Sequence, residues 1–529
     1  MTTMTAPAQA TRREWAGLAV LALPTLLVSV DTFVLLLALP QISEHLHPSS
    51  TQLLWISDIY SFLLAGFLVT MGTLGDRIGR RRLLLIGAAA FGLASVLAAY
   101  APNPALLIAA RALLGLAGAT LSPSTLALIA NMFRDPRQRA VAIGVWMACF
   151  MSGAAIGPIV GGVLLERFWW GSVFLLAVPV MALLLTAGPL LLPEYRAGGA
   201  GGVDLVSVAL SLAGILPVVY GITGLARAGW QAGYVAAVAA GAALLVAFVR
   251  RQRRLPEPLL DLRLLANRTF TAAMSGLTLS TMLTGAMMLF ITQYFQLAAG
   301  LSPVRAGLCM VPAAVAMTAS SLASPRLARL TRPAYVIATG LVVAIAGLVT
   351  IGQANGSALV IAGWALITLG SGPMVTLSVD LVMGTAPAEK AGSAAALNET
   401  SGQLGFALGV AALGSVGIAV YRARLSAAMP GRVPAGADTL GGATAVARNL
   451  PREAAAVLLH AARSAFTAGM HTTATISAVL LAGVIVMVIA LLRHVRPYGP
   501  ADDSAGSAAL EPSHPAAGEL SSASPRSVA

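Results

Sequence analysis

The sequence predicts an all-α polytopic membrane protein with fourteen transmembrane helices, and three observations carry that expectation. Of 529 residues, 57% are hydrophobic and 10% charged, against about 45–50% and about 25% in soluble domains. The mean hydropathy is +0.83. Apolar runs recur from Trp15 to Leu492, each of about 20 residues, the length that crosses a bilayer core as a helix. A soluble enzyme is excluded by this composition. A β-barrel would show short alternating strands, and a cleaved signal peptide would leave a soluble remainder that is absent here.

The spans fall at residues 16–38, 52–74, 82–101, 105–128, 139–163, 169–192, 204–224, 231–249, 270–297, 304–325, 333–351, 358–381, 391–420 and 469–492. Thirty-three basic against 20 acidic residues give +13, a balance that in a soluble chain would suggest nucleic acid. Lys390 is the one lysine, and the arginines sit mostly in short connections. With the N-terminus inside, the inner segments hold 22 basic residues and the short outer loops 3, namely Arg167, Arg227 and Arg305. Positive charge collects on the cytoplasmic face, and long loops such as 421–468 are exempt, so both termini are expected in the cytoplasm of a bacterial inner membrane. Residues 1–11 and 497–529 read as disordered tails. The outer segment from Arg422 to Met470 carries an apolar helical pattern over Pro451 to Phe466, read as lying on the outer surface.

Span 1 places Asp31 about 23 Å along the helix from its inner end, and span 2 places Asp58 about 8 Å from its outer end. Span 4 holds Arg111 about 9 Å below the outer surface. Charges at one depth on three spans suit proton exchange, because burial disfavours a carboxylate while a cation favours it. A static ion pair, or for Arg111 snorkelling to the headgroups, is the plainer alternative. None of the six histidines lies deep inside a span, so a transported proton would ride on carboxylates. Cys149 and Cys309 fall inside apolar segments and read as small core hydrophobes, with no disulfide or zinc site suggested.

Between spans 2 and 3 the chain reads Gly72-Thr73-Leu74-Gly75-Asp76-Arg77-Ile78-Gly79-Arg80-Arg81-Arg82. Its glycines allow a tight turn and close helix approach, and Asp76 can neutralise arginines or cap a helix start. Span 5 spaces Gly153, Gly157, Pro158, Gly161 and Gly162 so that small residues form a flat packing face bent at the proline. Span 13 carries Glu399, about 12 Å from the inner surface, with Gln403 one turn on and no basic residue anywhere in the span. A carboxylate so placed has no partner on its own helix and reads as a cation or proton site. Tyr60, Trp146, Phe290, Tyr294 and Trp364 are aromatic candidates for a pocket wall, each explained more readily by packing. Asp380, at the inner end of span 12, reads as interfacial.

These motifs resemble the major facilitator superfamily, and within it the fourteen-span drug:proton antiporters. The G-x-L-x-D-R-x-G-R-R order resembles the superfamily's cytoplasmic signature loop, which implies a gating latch at Gly72, Asp76, Arg77, Gly79 and Arg80. The span-4 pattern R-x-x-x-G-x-x-G-A implies a role for Arg111 in proton transfer. The G-P-x-x-G-G core of span 5 marks antiporters, and so export. The pattern D-x-x-x-x-x-x-A-L-P-x-I around Asp31 implies proton coupling there. The resemblance covers residues 15–492 and implies two pseudo-symmetric six-helix halves, residues 15–192 and 269–492, with spans 7 and 8 inserted at 193–268, a short tail over 1–14 and a second tail over 493–529. The second half matches less well, since its loop Ser324-Pro325-Arg326-Leu327-Ala328-Arg329 has no aspartate.

The implied activity is proton-driven export of lipophilic cationic drugs by a monomer, with no cofactor and no nucleic-acid partner. Glu399, Gln403 and Tyr60 are the expected cation site, and Asp31, Asp58 and Arg111 the expected coupling site. An ATP-driven pump would need a P-loop, which the single lysine, preceded by Glu389, cannot supply. No H-E-x-x-H or nucleophile–histidine arrangement suggests an enzyme. Open alternatives are an exporter dedicated to an endogenous antibiotic or metabolite and, further off, an uncoupled facilitator.

Overall fold

The computed structural model describes residues 10–133, 135–194, 204–228, 231–255, 266–385, 391–431 and 433–497. Both predicted tails lie largely outside them, as do Arg196 and Lys390. The described chain is helical throughout, as a segment in lipid must be to satisfy its own backbone groups. Helix α1 (Arg12–Leu46) starts at a capping box between Thr11 and Glu14 and carries Pro24 and Pro40 inside. α2 (Ser50–Ile78) starts from a second capping box, Ser49 with Gln52. α3 (Arg80–Ala99), α4 (Pro104–Met132), α5 (Pro136–Arg167) and the broken pair α6 (Ser172–Leu175) and α7 (Ala177–Leu191) complete the first half. α8 (Leu205–Ala228) and α9 (Ala232–Gln252) form a hairpin. α10 (Arg268–Gln293), α11 (Pro303–Leu330), α12 (Pro333–Gly352), α13 (Ser357–Thr385), α14 (Ala391–Leu408), α15 (Gly414–Ala428), α16 (Leu440–Ala447) and α17 (Arg452–Leu492) follow.

Among the described residues twelve helical stretches are long and apolar enough to cross a membrane. The two remaining predicted spans fall on α5 and α8, whose apolar stretches among the described residues, Val141–Phe150 and Val206–Ile222, are shorter. Span 6 is interrupted at Leu176, and span 13 is α14 joined to α15 through a π-turn, Gly409–Leu413. The outer segment corrects the sequence reading. Residues 452–468 do not lie flat as a separate helix but continue span 14 into one 41-residue helix, about 60 Å long. The pattern over Pro451 to Phe466 is a packing stripe, with Leu458, Ala462, Ala465 and Phe466 buried.

The two halves repeat one pattern. α1 packs on α5 and α7 as α10 packs on α14 and α17, α2 on α4 as α11 on α13, and α3 on α4 and α7 as α12 on α13 and α17. An arginine marks the repeat: Arg81, at the start of α3, donates to the Leu192 carbonyl after α7 at 3.0 Å, and Arg332, capping α12, donates to the Arg493 carbonyl after α17 at 2.7 Å. In each half the third helix thereby satisfies an orphan carbonyl at the end of the sixth, where a cation also suits the helix dipole. The inserted α8 lies across the seam between the halves, where Phe62 of α2, Val219 of α8, and Ala407 and Ala411 form an apolar cluster. α9 buries little beyond Gly241 and Gln252 and leaves its apolar surface to lipid. The hairpin is pinned at one end by Arg251, which donates to both Asp204 oxygens at 2.9 and 3.3 Å. Asp204 precedes α8; burial opposes its charge, but hydrogen bonds from Arg251 and Ser207 prevail and hold its carboxyl down to about 2.

At the end opposite the arginine-rich loops, α16 caps the bundle. Gly441 lies against Ser43 of α1, Arg448 pairs with Glu44 at 3.0 Å, and Arg463 of α17 donates to the Leu297 carbonyl at 3.1 Å. The cap therefore touches both halves.

Candidate functional site

α2 and α4 approach closely because Gly115 has no side chain: a methyl there would stand 2.4 Å from the Tyr60 carbonyl oxygen. That approach delivers the Ile56 carbonyl and the Tyr60 ring to Arg111. The guanidinium donates from Nη1 to Asp31 Oδ2 at 2.7 Å and from Nε to the Ile56 oxygen at 3.3 Å, and it stands 4.5 Å over the Tyr60 ring. Its side chain is 1% exposed and that of Asp31 12%. Arg111 does not snorkel; it is a buried, paired cation, as the cost of a lone charge in the bundle demands. Asp58 lies within electrostatic reach of Arg111 and is buried, but it is outside the ion pair, and its Oδ2 has no hydrogen-bond partner among the described residues.

Glu399 stands on α14, in the other half, and it has a polar neighbour there: the side chain of Ser122 on α4 lies close to it across the interface. Residues of its own span could not reveal this, because the contact joins positions 277 residues apart. Gln403 is half-buried one turn further on, and the adjacent Asn398 is buried with its Oδ1 unpartnered among the described residues. Tyr60 lies beneath Arg111 and within electrostatic reach of Glu399, and its hydroxyl would be 3.4 Å from a methyl at Gly118. Of the other aromatic candidates, Trp146 donates to Thr125 Oγ1 at 3.2 Å, while Phe290, Tyr294 and Trp364 are packed in the core. Asp380 is exposed on α13. His471 is half-buried on α17, close to the C-terminal end of α12.

In the signature loop, Gly79 ends α2 at φ 112°, a conformation that favours glycine. Arg80 folds back over Gly75, where a methyl would stand 3.0 Å from its Cδ, and donates to the Pro123 carbonyl of α4 at 3.5 Å. Gly72 meets only ordinary contact with Pro123, so the steric demand rests on Gly75, which sequence reasoning passed over. Arg77 is exposed, and the Asp76 side chain lies outside the described ones. In the second half Arg326 and Arg329 are both exposed.

The span-5 glycines face two ways. A methyl at Gly153 would stand 2.7 Å from the Leu26 carbonyl, and one at Gly161 2.7 Å from Val34, both on α1. A methyl at Gly162 would stand 2.7 Å from the Pro303 carbonyl of α11, and one at Gly307 would be 2.2 Å from the Pro158 carbonyl. Gly157 and Pro158 are buried between these contacts. α5 thus joins its own half to the other one. The second half has a matching glycine face that the sequence did not announce, with Gly405 of α14 and Gly409 of the π-turn after it against the Thr278 and Met282 carbonyls of α10.

The model of the major facilitator superfamily matches residues 21–410. The chain belongs to the major facilitator superfamily. It is 45% identical over 475 residues to the multidrug efflux pump LfrA of Mycolicibacterium smegmatis, covering 89% of this chain and 94% of that protein. It is 33% identical over 470 residues to the methyl viologen resistance protein SmvA of Salmonella typhimurium, covering 86% and 93%. It is 34% identical over 422 residues to the puromycin resistance protein pur8 of Streptomyces alboniger, covering 78% and 84%. A solved bacterial homolog of the human lysosomal transporter Spinster superposes with a TM-score of 0.65 at 15% identity, covering 93% of this chain and all of that one, which establishes the fold. The protein is a multi-pass membrane transporter and not an enzyme.

Proposed function

We propose that this protein is a proton-driven exporter of lipophilic cationic drugs that works by alternating access. The observation that carries the reading is a split pair of acidic sites: Asp31 bound to buried Arg111, with Asp58 beside it, in one half, and Glu399 reaching Ser122 from the other. Asp31 and Arg111 satisfy one another while Asp31 is charged; a proton arriving on Asp31 removes that attraction and frees the guanidinium. Glu399 supplies a single anion to a cationic substrate. The relatives named for drug efflux and drug resistance support the substrate class, and the arginine-rich end is assigned to the cytoplasm on charge alone. A Streptomyces coelicolor relative, a probable actinorhodin transporter at 34% identity, supports a second reading as an exporter dedicated to one endogenous antibiotic.

Each unpaired charge buried in the cavity costs several kcal/mol. Gln403 offers a dipole and span 10 no carboxylate, so one lipophilic positive charge is better matched than two. In everted vesicles we expect ethidium transport that follows an imposed pH gradient and stops with a protonophore. We expect Glu399→Gln to reduce it about tenfold or more, and methyl viologen, a dication, to be transported less well than ethidium. Transport that ignores the protonophore removes the coupling; ethidium transport unchanged in Glu399→Gln removes the cation site.

A further inference from the structure

The face of α4 that looks into the bundle carries Arg111, Gly115, Gly118 and Ser122 at intervals of four, three and four residues, the spacing of one helical stripe. Tyr60 lies along this stripe. Its backbone is pressed on Gly115, its ring lies under Arg111, and its hydroxyl reaches the level of Gly118. One turn beyond Gly118, or about 6 Å along the axis, Ser122 lies beside Glu399. Tyr60 is 1% exposed, and its hydroxyl has no hydrogen-bond partner among the described residues. A buried hydroxyl ordinarily has one.

We infer that Tyr60 is a positioning residue that couples the charge on Glu399 to the Asp31–Arg111 pair. The ring is rigid, so its hydroxyl end cannot be drawn toward an anionic Glu399, or released from it, without moving the face on which Arg111 rests. A phenol can donate toward an anion directly or through one water. When a cation neutralises Glu399 the pull on the hydroxyl ends, the ring resettles under Arg111, and the hold of Arg111 on Asp31 changes with it. The charged and titratable groups around Tyr60 are Arg111 of α4, Asp31 of α1 and Glu399 of α14; Asp58, two residues back on its own helix, points to another face. This inference rests on the proposed cation site at Glu399.

The test measures protons released when ethidium binds the purified full-length protein, together with ethidium affinity and the pH profile of efflux. Tyr60→Phe keeps the ring under Arg111 and removes the hydroxyl. We expect proton release per bound ethidium and gradient-driven efflux reduced about tenfold, the worth of one hydrogen bond to a charged group. Gly118→Ala, which crowds the hydroxyl without altering Tyr60, should reduce release in the same direction and serves if Tyr60→Phe folds poorly. In a Glu399→Gln background Tyr60→Phe should have no further effect on release. Normal release and an unshifted pH profile in both Tyr60→Phe and Gly118→Ala would overturn the inference. Normal release in Glu399→Gln itself would instead overturn the cation site on which it rests.

Discussion

Replacing Asp31 by asparagine removes one negative charge and leaves a side chain of the same shape. Wild-type Asp31 accepts from Arg111 at 2.7 Å in a site where the guanidinium is 1% exposed, and breaking a buried pair by removing one partner costs about 3–5 kcal/mol. Two compensations survive in Asp31→Asn. The Ile56 carbonyl still accepts from Nε, and the Tyr60 ring still lies under the guanidinium, a contact worth about 2 kcal/mol when desolvated. The amide oxygen also remains an acceptor at Nη1. The expected loss of stability is therefore at the low end, about 3 kcal/mol, small enough for a folded protein to reach the membrane. Transport should fare differently, because an amide cannot take up the proton. In proteoliposomes with an imposed pH gradient, Asp31→Asn should bind ethidium normally and fail to concentrate it, while downhill movement persists. Uphill transport at the wild-type rate by Asp31→Asn would show that the proton travels elsewhere and would leave the ion pair a static support.

Gly162→Ala places a methyl 2.7 Å from the Pro303 carbonyl and 2.8 Å from Val304 Cα, backbone atoms that cannot turn aside; overpacking of this kind costs about 1–3 kcal/mol, and ethidium efflux should fall while membrane content stays normal. Glu44 and Arg448 join α1 to the cap through a partly exposed pair worth about 0.5 kcal/mol, so Glu44→Arg should alter efflux by less than about threefold and adding Arg448→Glu should restore it; a large loss that the swap leaves unrepaired would show that the cap does not act through this pair. Asp204, held down to about 2 from 3.8, is a depressed carboxyl, so its contribution to stability is complete above pH 4 and is lost as pH falls toward 2. The melting temperature of Asp204→Asn should therefore lie below that of the wild type by a constant amount from pH 5 to 8, with the gap narrowing below pH 4.

The sequence by itself determined what depends on composition and spacing along one helix. Long apolar runs fix a helical bundle, because lipid offers backbone groups no partner outside the helix, and motifs confined to single segments mark Asp31, Arg111, Glu399 and the α5 glycines as candidate functional positions. Which of these groups meet was decided by the tertiary structure. Asp31 and Arg111 are 80 residues apart, and they touch while Asp58, predicted at the same depth, stands outside the pair. Glu399 lies close to Ser122 of the opposite half, and Gly75 with Arg80, more than Gly72, carries the steric fit of the signature loop. The segment 452–468 has the same amphipathic pattern whether it lies flat or continues α17, and only its packing partners, α15 and α16, distinguish the two. A helix constrains its own residues to 3.6 per turn and so records depth and face. The rotation of each helix about its axis, which determines who faces whom, is set by where small residues let two backbones approach, as at Gly115 and Tyr60, and that is a property of pairs of helices.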